Sequence, residues 1–279
     1  MTTDSRKMKQ AIQEVIKSLM ERVMKRVTKE DPFNRDDFQA QKPLYAALVP
    51  EEIFKGSHFE RRFVTPFGSV WEDLAVTAAN HGLGFGVKGH NIFGTVKQGR
   101  LRRILEVLNS LEHPEKGKDR KKPDWETELA YILKGKGQPI PVQVTCDVYV
   151  EDLVNHKKYA FELKAPLPNS DQTKVSKEKI LKLYSMDPPQ IDAAYYALPY
   201  NPYGQRANYA WGFPARWFNM KEDPTVLIGN EFWEKIGGLG TYQAFIEAVN
   251  EVGEEYKERI YREYLGIEPP KDVDSGKLS

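Results

Sequence analysis

Apolar and polar positions recur along this chain with two periods, and each period predicts an element. Over residues 8–27, Met8, Ile12, Val15, Ile16, Leu19, Val23 and Val27 fall every three or four positions. That spacing draws one apolar stripe on an amphipathic helix within residues 1–30, with Lys and Arg filling the other side. The helix is expected to end before Asp31-Pro32, because proline disfavours helical backbone in the residue ahead of it. So long a stripe needs a cover, either the rest of the chain or a second subunit. A break is expected at Pro66-Phe67-Gly68, with a new helix after it along Leu74, Ala75 and Ala78. Ser69 and Glu72 have the spacing of a capping box at its start.

Residues 81–94 carry glycines at 82, 84, 86, 89 and 94 and predict a loop with short strands. They do not make a phosphate loop, since His90 stands where a lysine would follow the last glycine. The spacing of Gly82, Gly84 and Gly86 is not a dinucleotide fingerprint either. Helices are expected over 98–111, 124–133, 174–184 and 241–264, a charged loop over 116–123, a turn over 200–204 and a polar tail over 266–279. Residues 142–150 alternate strictly, with Val142, Val144, Cys146, Val148 and Val150 on one side and Gln143, Thr145, Asp147 and Tyr149 on the other. Asn155-His156 can turn the chain, and 158–163 then returns as a second strand. No repeat and no clear linker interrupt the pattern, so a single domain over 1–279 is expected.

Composition narrows the class. The chain has 279 residues, 40% of them hydrophobic and 29% charged, with a net charge of +1. That is a globular composition, and no apolar run approaches the roughly 18–20 residues of a membrane span. Cys146 is the only cysteine, which excludes an internal disulfide and a thiolate zinc cluster. The first ten residues lack the apolar core of a signal peptide, so a cytoplasmic home is expected. Charge is segregated: residues 97–122 hold nine Lys or Arg against four acids, and 157–182 seven against three. Residues 247–274 reverse the balance, nine acids to four bases. A basic face suited to a polyanion is one reading of this, and a solvated face the other.

The hairpin carries the candidate chemistry. If Asn155-His156 is a two-residue loop, Val154 faces Lys157, which sets Asp147 across from Lys164 with Glu162 on the diagonal. A slip of two residues leaves all three on one side of the sheet, because side chains alternate with period two. The reverse side, Val144, Cys146, Val148, Phe161 and Leu163, is apolar and expected in a core. Two neighbouring carboxylates repel, and a divalent cation relieves the repulsion. Asp147, Glu162 and the Leu163 carbonyl are hard oxygen donors suited to Mg²⁺. Lys164 beside them could orient a water whose pKa the metal lowers, which is a route to phosphodiester hydrolysis. Pro166 and Pro168 stop the strand just past this point. The other reading is a surface ion-pair cluster. His81 and His90, with no carboxylate at ligand spacing, read as loop residues.

Asp147 followed by Glu162-Leu163-Lys164 after a hairpin resembles the catalytic motif of PD-(D/E)XK nucleases. Gly68-Ser-Val-Trp-Glu-Asp-Leu-Ala75 resembles the helix that supplies an extra acid in many restriction enzymes. Lys174-Val-Ser-Lys-Glu-Lys-Ile-Leu-Lys-Leu-Tyr184, Tyr200-Asn-Pro-Tyr-Gly204 and Gly229-Asn-Glu-Phe-Trp-Glu-Lys-Ile-Gly-Gly-Leu-Gly-Thr-Tyr242 resemble blocks of TdeIII-type type II restriction endonucleases. The likeness spans about residues 33–253, and Cys146 stands where the motif's first letter would be proline. It implies an α/β fold of the restriction-endonuclease kind, a central mixed β-sheet flanked by α-helices. It implies Asp147 and Glu162 as metal ligands with the Leu163 carbonyl, Lys164 as the water-orienting lysine, and Glu72 as a further acid, against its capping-box reading. Lys174, Lys177, Lys179 and Lys182 would contact phosphates, while Arg61, Arg62 and Arg206 are candidates for reading guanine. The implied activity is Mg²⁺-dependent cleavage of double-stranded DNA at a specific site, with Mn²⁺ as a substitute and 5′-phosphate ends. A homodimer and a cognate DNA methyltransferase as genetic partner are implied with it. A structure-specific or non-specific nuclease of the same superfamily and a non-catalytic DNA-binding protein are the alternatives.

Overall fold

A computed structural model describes residues 3–113, 120–270 and 278. The expected features at 114–119 and over 271–277 lie outside the described residues. The chain groups into two compact units, one built from 1–74 with 243–279 and the other from 75–242.

The first unit opens with helix α1, Thr3–Lys25, which continues through a wider turn to Glu30 and stops before Pro32. Its expected stripe is buried at Met8, Ile12, Ile16, Leu19, Val23 and Val27. Short helices α2 (Arg35–Gln41) and α3 (Pro43–Leu48) follow, and then the long α4 (Glu51–Gly82), which belongs to this unit as far as Leu74. Here the structure corrects the sequence reading, because α4 runs straight through Pro66. Phe59, Phe63, Phe67 and Trp71 lie four residues apart on one side, with successive ring centroids 6.2, 5.2 and 5.1 Å apart. Such i,i+4 pairs, with Trp71 also 6.0 Å from Phe245, offset the one hydrogen bond that Pro66 cannot donate. Ser69 donates its hydroxyl to the Pro66 carbonyl, so it is a mid-helix residue and the capping box is absent.

The second unit carries the sheet. Strands β1 (Gly84–Lys97), β2 (Pro139–Asp152) and β3 (Lys157–Leu163) are antiparallel neighbours. Strands β4 (Ala193–Leu198) and β5 (Val226–Ile228) extend it in parallel, in the order β1-β2-β3-β4-β5. The glycines at 82, 84, 86 and 94 are thus packing positions in and before one long strand, not a loop, while Gly89 takes a positive φ of 61° with open space around it. A Cβ on Gly86 would come 2.7 Å from the Ala79 Cβ, and one on Gly82 1.9 Å from the Gly237 carbonyl oxygen. Helices α5 (Gln98–Glu112), α6 (Trp125–Leu133) and α7 (Ser170–Tyr184) share one apolar core with the strands. Asp124 caps α6 and Asn169 caps α7, each side chain accepting a backbone N–H of the first turn. Helix α8 (Asn230–Gly237) sends Phe232 against Phe161 of β3. The expected mixed sheet flanked by helices is therefore present. In the first unit the chain closes with α9, Thr241–Arg259, and a wider turn to Leu265. Glu251 and Tyr256 of α9 reach Lys9 and the Lys17 carbonyl of α1, so the cover for the first stripe is the chain's own last helix. No helix of the described residues is long and apolar enough to cross a membrane.

Candidate active site

The hairpin register differs from the simplest expectation by two residues: Asp152 faces Lys157 and Val148 faces Phe161. The reason is the Asp152 side chain. Its Oδ1 accepts the backbone N–H of Val154 and of Asn155, and its Oδ2 accepts the Asn155 amide, so the loop spans 153–156. His156 takes the left-handed conformation at φ 54° to close it. Parity is kept, so Asp147, Glu162 and Lys164 still converge, now with Asp147 across from Glu162. All five apolar residues expected on the reverse side, Val144, Cys146, Val148, Phe161 and Leu163, are buried.

Asp147 Oδ2 accepts the Leu163 N–H at 2.8 Å and lies 2.6 Å from Lys164 Nζ. The same ammonium donates to the Leu163 carbonyl at 3.0 Å and lies 3.6 Å from Glu162 Oε2. One cation thus meets oxygens of both carboxylates and the carbonyl between them. Glu162 is only 2% exposed and sits on β3 between Asp147 and α7. From α7, Lys179 Nζ donates to both its oxygens at 2.8 and 3.0 Å, and the Ser176 hydroxyl donates to Oε2 at 3.3 Å. Burial pushes the Glu162 carboxyl up to about 7, aided by the Asp147 charge and opposed by Lys164 and Lys179. Beside it, burial raises the Cys146 thiol to about 12, which leaves it a neutral packing group.

This donor set fits a hard divalent cation. Two carboxylates and a carbonyl converge at a spot where the structure already places an ammonium, and Mg²⁺ is bound by one or two carboxylates plus other oxygens. Among the described residues no group of three or more His, Cys, Asp or Glu is suited to hold a metal, so three protein oxygens are what this spot could offer one. The segment after Lys164 is fixed by aromatic donors: Tyr209 Oη bonds the Pro166 carbonyl at 3.1 Å and Trp211 Nε1 the Pro168 carbonyl at 2.8 Å.

The remaining expected residues are placed differently. Lys177 is fully buried, 2.8 Å from Glu128 Oε2, and so is turned away from any phosphate. Lys179 is engaged with Glu162, Lys174 with Glu112 at 2.5 Å and Lys182 with Glu178 at 2.7 Å. The helix expected to offer four lysines to DNA therefore has every one of them ion-paired. Arg206 is fastened to the carbonyls of Met220 and Asp223 and to Glu231, which makes it a loop brace. Arg62 pairs with Asp31, and the exposed Arg61 bonds the Ser57 carbonyl. Glu72 lies within α4, in the first unit. His81 bonds the Thr77 carbonyl, and His90 stacks on Tyr149 with centroids 4.3 Å apart. The sequence reading missed the part Ser176 and Lys179 take at Glu162. Their spacing of three puts both on one side of α7, a signal that charge counting hides.

A family profile described as "Type II restriction endonuclease, HinfI" matches residues 8–253. The chain is 27% identical over 230 residues to the type II restriction enzyme HgiCII of Herpetosiphon aurantiacus, covering 80% of this chain and 82% of that one. It is likewise 27% identical over 222 residues to HgiBI of the same organism, covering 76% and 77%. The profile carries the HinfI name, where the sequence blocks resemble TdeIII-type enzymes.

Proposed function

Because the chain belongs to the HinfI family of type II restriction endonucleases, which cleave double-stranded DNA at specific sites, we propose that Asp147, Glu162 and Lys164 are its catalytic residues and Mg²⁺ its cofactor. The observation that carries this is the convergence of both carboxylates and the Leu163 carbonyl on one ammonium at the end of β3. The motif, with Cys146 in place of the proline, supports membership of the PD-(D/E)XK superfamily, and the three sequence blocks support TdeIII-type kinship within it.

Asp147, Glu162 and the Leu163 carbonyl would hold the cation. The metal would supply a lowered water pKa and a polarised phosphoryl oxygen. Lys164, whose ammonium occupies that spot here, would move aside for the cation and orient the attacking water. Lys179 and Ser176 hold both oxygens of Glu162 in place. Water adds to phosphorus and loses a proton to solvent, the P–O3′ bond breaks with its electron pair on the 3′ oxygen, which takes a proton from water, and the ends are a 5′-phosphate and a 3′-hydroxyl. The likeness of residues 68–75 to the acid-bearing helix of restriction enzymes supports Glu72 as a further acid. The enzyme acts in the cytoplasm as a homodimer, since a twofold target read by a small chain favours a twofold protein, and its host carries a cognate DNA methyltransferase.

Digestion of unmethylated plasmid with the protein and Mg²⁺ tests this reading. Discrete bands whose ends religate without phosphorylation are expected. A smear would favour a non-specific nuclease, and an intact plasmid a non-catalytic DNA-binding protein.

A further inference from the structure

The lysines of α7 are all neutralised by carboxylates, yet a nuclease must hold a polyanion, so cations outside close ion pairs should mark the path of the DNA. Five of them surround two adjoining hollows. The larger, about 550 Å³, is lined by Lys122, Tyr209, Trp211 and Lys221. The smaller, about 320 Å³, is lined by Arg120, Lys121, Lys122, Ser170 and Arg216, and it shares Lys122, Pro123, Gly212 and Ala215 with the first. No carboxylate lines either hollow. Among the described residues none of Arg120, Lys121, Lys122, Arg216 and Lys221 makes an ion pair within 4.0 Å, although Lys121 and Arg216 are near enough to Asp124 and Glu112 to help lower those carboxyls. Past Pro123 the lining turns acidic, with Asp124, Glu126, Glu222 and Asp223, which bounds the basic stretch on that side.

The hollows are tied to the candidate active site. Trp211 and Tyr209 of the larger one donate to the carbonyls of Pro168 and Pro166, on the segment that leaves Lys164. Ser170 of the smaller one is the first residue of α7 and accepts from Trp217 Nε1 at 3.0 Å. Ser170 lies six positions past Lys164, so their Cα atoms are at most about 22 Å apart. That is about six base pairs of a duplex rising 3.4 Å per pair.

We propose that this basic cleft, built from Arg120, Lys121, Lys122, Arg216 and Lys221, is the track that holds the sugar–phosphate backbone flanking the cut. The inference rests on the nuclease reading above and assigns DNA backbone contact to residues other than the α7 lysines. The cations act on charge alone, so they strengthen binding to all sequences without choosing among them.

The test is fluorescence anisotropy of a labelled duplex across a salt series, in an Asp147→Ala background so that no cleavage occurs. Each phosphate contact contributes about 0.9 to the slope of log K against log salt. Lys121→Gln/Lys122→Gln/Arg216→Gln should lower the slope by about 2.7, equivalent to roughly a hundredfold weaker binding at 0.15 M salt. Lys174→Gln/Lys182→Gln, which removes ion-paired lysines, should change it by less than about half a unit. Lys121→Arg/Lys122→Arg should keep the parent slope, which separates charge from folding. An unchanged slope in the triple variant, or an equal drop in the α7 pair, overturns the assignment. A parent that cuts DNA while the triple variant keeps its slope refutes the cleft alone. A parent that neither binds nor cuts duplex DNA refutes the nuclease reading and the cleft with it.

Discussion

Replacing Lys177 with Met separates two physical accounts of one lysine. Its side chain is 0% exposed, with Nζ 2.8 Å from Glu128 Oε2 and 4.0 Å from Asp223 Oδ2. The rings of Trp125 and Phe218 close over it at 4.9 and 4.6 Å. Met fills nearly the same volume, so the packing survives and the charge is what is lost. Two buried carboxylates then stand without a cation, supported only by the Asp124 N–H on Glu128 and by Thr225 on Asp223. Breaking a buried pair in this way costs about 3–5 kcal/mol. At about 2–4 °C per kcal/mol for a chain of this order, Tm should fall by roughly 6–20 °C. Adding Glu128→Leu removes one of the orphaned charges and should return most of the loss, because apolar replacement of both partners is close to neutral. Thermal melting by circular dichroism reads the first effect, and a salt titration of DNA binding at low temperature shows an unchanged slope. A Lys177→Met protein that melts with the parent but loses about one unit of salt slope would refute the buried-pair account and restore the phosphate contact.

Lys179→Gln should cut at least roughly tenfold more slowly, about 1.4 kcal/mol of barrier, with the salt slope intact, because its ammonium holds Glu162. Single-turnover rates with parent-like values would remove it from the site. Glu72→Gln should melt like the parent, since no helix cap is lost, and cut at least about tenfold more slowly. Parent-like cutting would reduce the site to Asp147, Glu162 and Lys164. Gly82→Ala should destabilise by about 1–3 kcal/mol, because its Cβ must displace the Gly237 backbone. A denaturant midpoint equal to the parent's would contradict that close approach.

The parts of this architecture legible in the sequence are those with one exposed side. The stripe on α1 and the alternation on β2 both reflect an element half in a core and half in water. The arrangement of Asp147, Glu162 and Lys164 was legible for the same reason, since the parity of a strand survives an error in its turn. Ala193–Leu198 and Val226–Ile228 form parallel strands that are mostly buried on both sides, so they show no alternation to read. Pro66 and the glycines of 82–94 gave local signals that packing overrode, the first through an aromatic row on α4 and the second through close helix contacts. The charge on α7 was visible, but its neutralisation was not. The partners Glu112, Glu128 and Glu162 come from other elements, and only the fold brings them to the helix.

The most direct measurement of the central claim is the single-turnover cleavage rate of a duplex carrying one target site, in Mg²⁺, for the parent and for Asp147→Ala. Losing one of the two carboxylates proposed to hold the cation, the one that pairs with Lys164, should slow cleavage at least about a thousandfold, near 4 kcal/mol of barrier, while the variant still binds the duplex and melts like the parent. Cleavage by Asp147→Ala within about tenfold of the parent would contradict the account and move the chemistry away from this hairpin.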